Sequence, residues 1–252
     1  MSANGIERFS HCADNYAKYR PSYPDGAIDS VAAYAGLDKD AVIADVGSGT
    51  GKLTELLLRR CWRVFAVEPN ANMRAAAEQT LSSDPNFHSV AAGAEETTLP
   101  DGSVDLITVA QAFHWFDPDA CRTEFRRILK SGGAVALVWN RRDDDASAFM
   151  RDYEQTVHQW CAEPPNVTYD QIDDEVYRKF FTGPFEIHRF SWRQTFDFGG
   201  LWGRALSSSY APTEGHPNRE PLREALRVLF DKYQEEGRVR FDYRTETVLG
   251  RL

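Results

Sequence analysis

From about Ala41 to Asn140 short apolar runs alternate with stretches of helical spacing. Ala41 to Val46 predicts a buried strand, followed by glycines and then by Leu53, Leu56 and Leu57 along one helix face. Arg63 to Glu68 predicts a second strand. Asn70 or Asn72 is placed to cap a helix with Met73, Ala76 and Ala77 facing inward. Phe87 to Ala91 and Val104 to Ala110 read as strands three and four. Asp117-Pro118 supplies an N-cap with proline at the first helical position, leading into Phe125, Ile128 and Leu129. Ser131-Gly132-Gly133 is expected to end that helix, and Ala134 to Trp139 to form strand five. Nearly unbroken apolar strands separated by helices predict an α/β fold with a parallel sheet covered on both faces.

Beyond Asn140 the pattern changes. Ala146 to Cys161 is helical in spacing, residues 163–184 are polar and irregular, and Phe185 to Phe198 reads as a strand. Glu220 to Glu235 predicts a helix with Leu222, Leu226, Leu229 and Phe230 inward. Arg238 to Leu249 alternates Val239, Phe241 and Tyr243 with polar residues, as an antiparallel strand does. The expectation is one domain over residues 1–252. Its core spans about 35–140 with strands at about 185–198 and 238–250. A cap over the sheet's carboxyl edge would come from 1–30, 141–184 and 199–237.

Composition narrows the partners. The 42% hydrophobic content is enough for a core of this size, and 38 acidic against 29 basic residues give a formal charge of −9. Such a balance repels phosphate backbones, so no nucleic acid is expected, and the expected partner is a small molecule. Cys12, Cys61, Cys121 and Cys161 form no Cys-x-x-Cys pair, and no histidine cluster has ligand spacing. Neither a disulfide framework nor a metal is expected. The start of the chain has no signal-peptide character and no run is long and apolar enough to span a membrane, so a soluble cytoplasmic protein is expected.

Candidate chemistry sits in Asp45-Val-Gly-Ser-Gly-Thr-Gly51, between strand one and its helix. Glycines let a ligand approach the backbone, and the helix start offers unpaired N–H groups. Glu68 lies 21 residues beyond Gly47 at the end of strand two, a spacing that sets a carboxylate on a ribose diol. A dinucleotide fingerprint needs a third glycine where Lys52 stands, and no Tyr-x-x-x-Lys pair follows, so S-adenosylmethionine fits better than NAD. A purely structural glycine turn would leave Glu68 unexplained.

Val42 to Leu53 resembles motif I of the class I methyltransferases, in the type-11 methyltransferase-domain group. Val67 to Met73, Gly93 to Leu106 and Leu129 to Ala134 resemble that family's following segments, with its spacing, over roughly residues 40–140. More loosely, Phe9, Ala13, Tyr16 and Tyr19-Arg-Pro-Ser-Tyr-Pro24, with His114-Trp-Phe116, resemble a subgroup of trans-aconitate-type and cantharidin-type small-molecule enzymes. The resemblance implies a Rossmann-like, doubly wound, mostly parallel seven-stranded sheet with an antiparallel last strand and an inserted helical cap.

It also implies roles. Asp45, Gly47, Ser48, Gly49 and Gly51 would line the methionine and ribose of S-adenosylmethionine. Glu68 would take the ribose hydroxyls, Pro69 or Met73 would flank the adenine, and Ala94 and Glu95 would meet its edge. Gln111 would lie beneath the sulfonium, with Tyr16 and Arg20 closing over the cofactor. Ser48 and Thr50 equally suit a turn without direct contact, and the N-terminal segment equally suits a proline-braced strap.

Tyr19, Trp115 and Tyr210 are candidate substrate contacts. Trp160, Trp202 and Arg204 add to an aromatic, arginine-rich cap that also reads as ordinary lid packing. His114 is a candidate general base or substrate contact, or a wall residue beside Trp115. The segment Gln111 to Asp117 lacks the Asn/Asp-Pro-Pro-aromatic signature of enzymes that methylate nucleobase or glutamine amino groups. Asp143-Asp-Asp145 reads as a solvated loop rather than a magnesium site. The expected activity is methyl transfer to a small molecule, at a carboxylate or hydroxyl oxygen. The alternatives are a non-catalytic adenosylmethionine-binding module acting through a protein, or an RNA methyltransferase.

Overall fold

The structure, a computed structural model, describes residues 19–161, 172, 174–208 and 210–252. The expected contributions of Phe9, Ala13 and Tyr16 lie outside them. The elements in chain order are α1 (Asp25–Ala35), β1 (Val42–Val46), α2 (Lys52–Leu58), β2 (Arg63–Val67), α3 (Ala71–Leu81), β3 (Phe87–Val90) and β4 (Val104–Ala110). A 3₁₀ turn (Phe113–Trp115) precedes α4 (Pro118–Ile128) and β5 (Leu129–Arg142). Then come α5 (Ala148–Trp160), α6 (Asp174–Phe181), β6 (Phe185–Phe196), α7 (Phe198–Leu206), α8 (Arg219–Tyr233) and β7 (Val239–Gly250).

These build one seven-stranded sheet in the order β3-β2-β1-β4-β5-β7-β6. β1 to β5 run parallel, and β7 is antiparallel to both β5 and β6. Alternation along β5 shows how the sheet is covered. Val135, Leu137 and Trp139 face a core that holds Phe113, Phe125 and Phe180, while Ala134, Ala136 and Val138 face one that holds Ile28, Leu53 and Leu57. That period of two, buried on both faces, is why the strands read as continuous apolar runs.

A third core belongs to the cap. Phe149, Met150 and Tyr153 of α5, Leu201 of α7 and Leu222, Leu226 and Leu229 of α8 pack with Phe196, Phe241 and Tyr243. The β6–β7 pairing runs from Phe185↔Gly250 to Phe196↔Val239, whereas β5 pairs with β7 only as far as Arg142↔Tyr243. The ends of β6 and β7 therefore extend beyond the sheet and support the cap.

Several boundaries differ from expectation. β5 starts at Leu129, directly after α4, rather than at Ala134. Val104 pairs with Leu129 and Leu106 with Ala134, so Ser131 to Gly133 form a bulge within the strand, with Gly132 at φ +80°. β6 stops at Phe196 because the Asp197 carboxylate accepts the Gly200 N–H at 2.7 Å and starts α7. Residues 25–30, expected in the cap, form the start of α1, which buries Ile28 and Val31 against the sheet. The stretch expected to be irregular contains α6, whose Tyr177, Phe180 and Phe181 are buried at one-turn spacing. Among the described residues no helix is long and apolar enough to cross a membrane.

Phe180 links α6 to the core through edge contacts with Phe113 at 4.8 Å and Phe125 at 6.2 Å between ring centroids. Phe180→Ala is expected to cost about 3–5 kcal/mol in urea unfolding. A loss below about 1 kcal/mol would mean that α6 does not close this core.

Candidate functional site

The glycine loop crosses the carboxyl end of β2. Gly47 and Ser48 both donate their N–H to the Val67 carbonyl, at 2.8 and 3.2 Å. Gly47 sits at φ +70°, and a Cβ there would lie 2.6 Å from the Ala112 Cβ, so both conformation and space require glycine. Gly49, at φ +58°, donates its N–H to Glu68 Oε2 at 2.9 Å, and a Cβ on it would meet nothing within 4 Å. One glycine fits against the protein; the other faces open space.

Two buried carboxylates hold this loop. Asp45 is fully buried and accepts hydrogen bonds from Thr54 Oγ1 at 2.6 Å and Thr108 Oγ1 at 2.9 Å. It thereby ties β1 to α2 and β4 from beneath the loop, behind the cavity wall rather than in it. Burial pushes its pKa up to about 6, although both threonine hydroxyls favour the charged form. Glu68, 4% exposed, accepts from the Gly49 N–H and from the Asn70 N–H at 2.8 Å. Burial raises its pKa too, against those two N–H groups and Arg74. Asn70, rather than Asn72, caps α3, accepting from the Asn72 and Met73 N–H groups.

Next to Glu68, Pro69 is half-buried and Met73 is buried at the start of α3. Ala94 is buried in the loop after β3, and half-buried Glu95 accepts the Asp117 N–H at 3.3 Å through Oε1. These four come from two stretches, the start of α3 and the loop after β3.

A cavity opens beside the loop. Of the candidate cofactor residues, the structure brings Arg20, Gly47, Ser48, Gly49 and Gln111 to it, together with Pro21, Tyr23, Thr50, Lys52, Leu53, Ala110, Asn140 and Arg204. Thr50 Oγ1 is buried without a hydrogen-bond partner among the described residues. An unsatisfied hydroxyl in a glycine loop suits a polar ligand that pairs with it. Gln111 holds φ +56°, a strained conformation for its type. Its N–H donates to the Val138 carbonyl and its Nε2 to the Asn140 carbonyl, each at 3.0 Å. Asn140 Nδ2 in turn donates to the Ser22 carbonyl at 2.8 Å, and Asn140 Oδ1 accepts from Thr245 Oγ1. Sequence reasoning missed Asn140; its signal is a polar residue ending a long apolar strand.

The other candidates, Arg20 apart, are not among the residues that line this cavity. His114 is tilted against Trp115 at 4.7 Å and Trp139 at 5.7 Å between centroids, with Nδ1 buried and unpartnered among the described residues. Burial lowers its pKa to about 4, so it is neutral near pH 7. Trp115 is half-buried against the sheet core. The Tyr19 ring lies against α7, where a Cβ on Gly203 would be 2.2 Å from it. Tyr210 accepts from Arg142 Nη1 at 3.4 Å. Arg20 donates from Nε and Nη2 to the Ser207 carbonyl at 3.2 and 3.1 Å. Tyr16 lies outside the described residues. Asp143 pairs with Arg244 and Asp144 with Arg142. Among the described residues no three His, Cys, Asp or Glu side chains are grouped to hold a metal ion.

Comparison with known proteins agrees with this architecture. Residues 44–137 match the family model described as a methyltransferase domain. An uncharacterized methyltransferase from Mycobacterium tuberculosis is 41% identical over 140 residues, 54% of this chain and 53% of that protein. A malonyl-(acyl-carrier protein) O-methyltransferase from a Marinomonas species is 31% identical over 169 residues, 64% of this chain and 60% of that protein. The chain thus spans about half the length of the curated relatives it matches first. The solved structure of an Anaeromyxobacter dehalogenans protein assigned as a type II methyltransferase superposes with a TM-score of 0.67 at 26% identity, covering 92% of this chain and 98% of that one.

Asp45 gives a pH signature. Its folded pKa of about 6 exceeds the ordinary 3.8, so between these values the folded state holds more protons than the unfolded. Its contribution to stability is full below pH 3.8, falls as pH rises to about 6, and is constant above. Asp45→Asn removes this dependence. The stability of the variant relative to wild type is expected to rise by about 1–3 kcal/mol between pH 4 and 7 in urea titrations. A difference independent of pH would contradict the shift.

Proposed function

We propose that this chain, whose residues 44–137 match the methyltransferase-domain family model, transfers the methyl group of S-adenosylmethionine to an oxygen of a small-molecule acceptor, a carboxylate or a hydroxyl. The observation that carries this reading is the buried Glu68 carboxylate accepting the N–H of Gly49, a residue of the cavity's lining. Each carboxylate oxygen can accept more than one hydrogen bond, so both can take a ribose hydroxyl while keeping their backbone partners. The open φ-positive Gly49 gives the backbone close access, and Thr50 Oγ1 supplies a further hydrogen-bonding group.

Pro69 and Met73 would flank the base, with Ala94 and Glu95 at its edge. Asp45 supports the loop from behind. S-adenosylmethionine, when bound, would supply a methyl group already activated on a sulfonium, to be taken by an acceptor lone pair while the S–C bonding electrons return to sulfur. What remains for the protein is alignment. Gln111, held by the Val138 and Asn140 carbonyls, would position the reacting atoms at the end of β4. Arg20 and Tyr23 close the same cavity from the segment before α1.

A carboxylate acceptor favours this site over an un-ionised hydroxyl. It needs no proton removed, and His114, with a pKa near 4, is a weak base. The O-methyltransferase among the relatives supports oxygen as the acceptor atom. Trp115, Tyr19 and Tyr210, which lie off the cavity's lining, would then act in acceptor binding through neighbouring residues of the core and the cap.

The test combines calorimetric titration with S-adenosylhomocysteine and a labelled-methyl assay on small carboxylic acids and phenols. Stoichiometric binding and a labelled ester or ether are expected. His114→Phe is expected to keep turnover within about fivefold, against the 100-fold or greater loss of a general base. Binding without transfer to any acid or phenol would favour a non-catalytic module. Salt-sensitive transfer to RNA would replace the acceptor class.

A further inference from the structure

The charges at the cap side of the cavity do not balance. Arg204 of α7 lines the cavity yet is only 4% exposed. Its Nε donates to Tyr243 OH at 3.0 Å and its Nη1 to Ser207 Oγ at 3.4 Å. The guanidinium lies over the rings of Phe241 at 5.3 Å and Tyr243 at 5.9 Å. A guanidinium carries five N–H donors, so most of Arg204's donors remain uncommitted. Among the described residues no carboxylate pairs with it. The nearby acids Glu154 and Asp144 pair instead with Arg142.

Burying an unpaired cation is costly, and ring contacts of this kind offset only part of that cost. Burial pushes the Tyr210 hydroxyl up, but Arg142, a hydrogen bond with Ser208, Arg20 and Arg204 outweigh it and leave its pKa below the ordinary value. A buried guanidinium on a cavity wall with no carboxylate partner suits an anion that arrives with a ligand.

Position decides which ligand. The ribose-binding carboxylate is at the end of β2 and the glycine loop follows β1. Gln111 ends β4, and the sheet then continues through β5 to β7. Arg204 is fastened to Tyr243 of β7, two strands beyond β4 and on the side away from Glu68. At ~4.8 Å per strand, that is about 10 Å across the sheet. An anion there lies beyond the point of methyl transfer, on the acceptor's side.

We propose that Arg204 is a specificity-determining residue that binds a carboxylate anchoring the acceptor, a group separate from the oxygen that receives the methyl. The inference rests on the methyltransferase reading. It confines acceptors to small carboxylic acids long enough to reach from Arg204 to Gln111. Ser207 serves both arginines of this wall, its hydroxyl accepting from Arg204 and its carbonyl from Arg20.

The test uses the full chain saturated with S-adenosylhomocysteine, titrated with succinate, glutarate and benzoate as carboxylate probes and with inorganic phosphate for comparison. The wild type is expected to bind at least one carboxylate more tightly than phosphate. Arg204→Gln and Arg204→Lys are expected to weaken that probe at least tenfold and about threefold, while S-adenosylhomocysteine affinity stays within twofold. Retained cofactor affinity also shows that the variants fold. A wild type that binds S-adenosylhomocysteine but no carboxylate probe would overturn the proposal, as would unchanged probe binding in Arg204→Gln. If Arg204→Gln instead weakens S-adenosylhomocysteine and not 5′-methylthioadenosine, Arg204 holds the donor's own carboxylate and the proposal fails. Failure of the wild type to bind S-adenosylhomocysteine would count against the methyltransferase reading itself.

Discussion

At the end of β2 a buried carboxylate accepts two backbone N–H groups from different segments, Gly49 in the glycine loop and Asn70 at the start of α3. Glu68 is costly to bury, and these N–H groups are what make its charge tolerable. The constraint works in both directions. With Glu68 in place the loop has one conformation over β2, and Gly47 and Ser48 complete the latch through the Val67 carbonyl. Asp45 performs the matching task one strand away, joining β1, α2 and β4 through two threonine hydroxyls. The site depends on two buried acids, one behind the loop and one at its edge.

The rest of the cavity is assembled from the opposite side of the sheet. Long, paired ends of β6 and β7 carry a separate hydrophobic core of α5, α7 and α8, which gives Arg204 a rigid base. Between the two halves runs a hydrogen-bonded chain from Gln111 to Asn140, then to Ser22 and Thr245. It joins β4, β5, β7 and the segment before α1 at the point where the reacting groups would meet. A strained Gln111 persists because this chain and the Val138 carbonyl hold it.

The parallel core was legible because its strands are buried on both faces, so period and composition agree. The glycine loop and the place of Glu68 were legible for a related reason, since a turn of that shape requires glycines and Glu68 directly follows the apolar run of β2. Asp45 illustrates the limit. Its place in the motif was readable, but its burial beneath the loop depends on Thr54 and Thr108, which lie 9 and 63 residues away. The helix at α6 was hidden by polar neighbours, although Tyr177, Phe180 and Phe181 have helical spacing. β5 was read too short because Gly132 and Gly133 resemble a helix stop, whereas tertiary pairing with β4 absorbs them as a bulge. Arg204 and Asn140 acquire meaning only from long-range neighbours, which no local pattern encodes.

The central claim is that Glu68, held against the glycine loop, reads a ribose diol. Calorimetric affinities for S-adenosylhomocysteine and its 2′-deoxy analogue, in wild type and Glu68→Ala, test it most directly. A hydrogen bond to a buried carboxylate is worth about 1.5–3 kcal/mol, so wild type should bind the deoxy analogue at least about tenfold more weakly. Glu68→Ala should bind the two ligands with nearly equal affinity. Equal affinity in the wild-type protein, or an undiminished preference in Glu68→Ala, would contradict the claim.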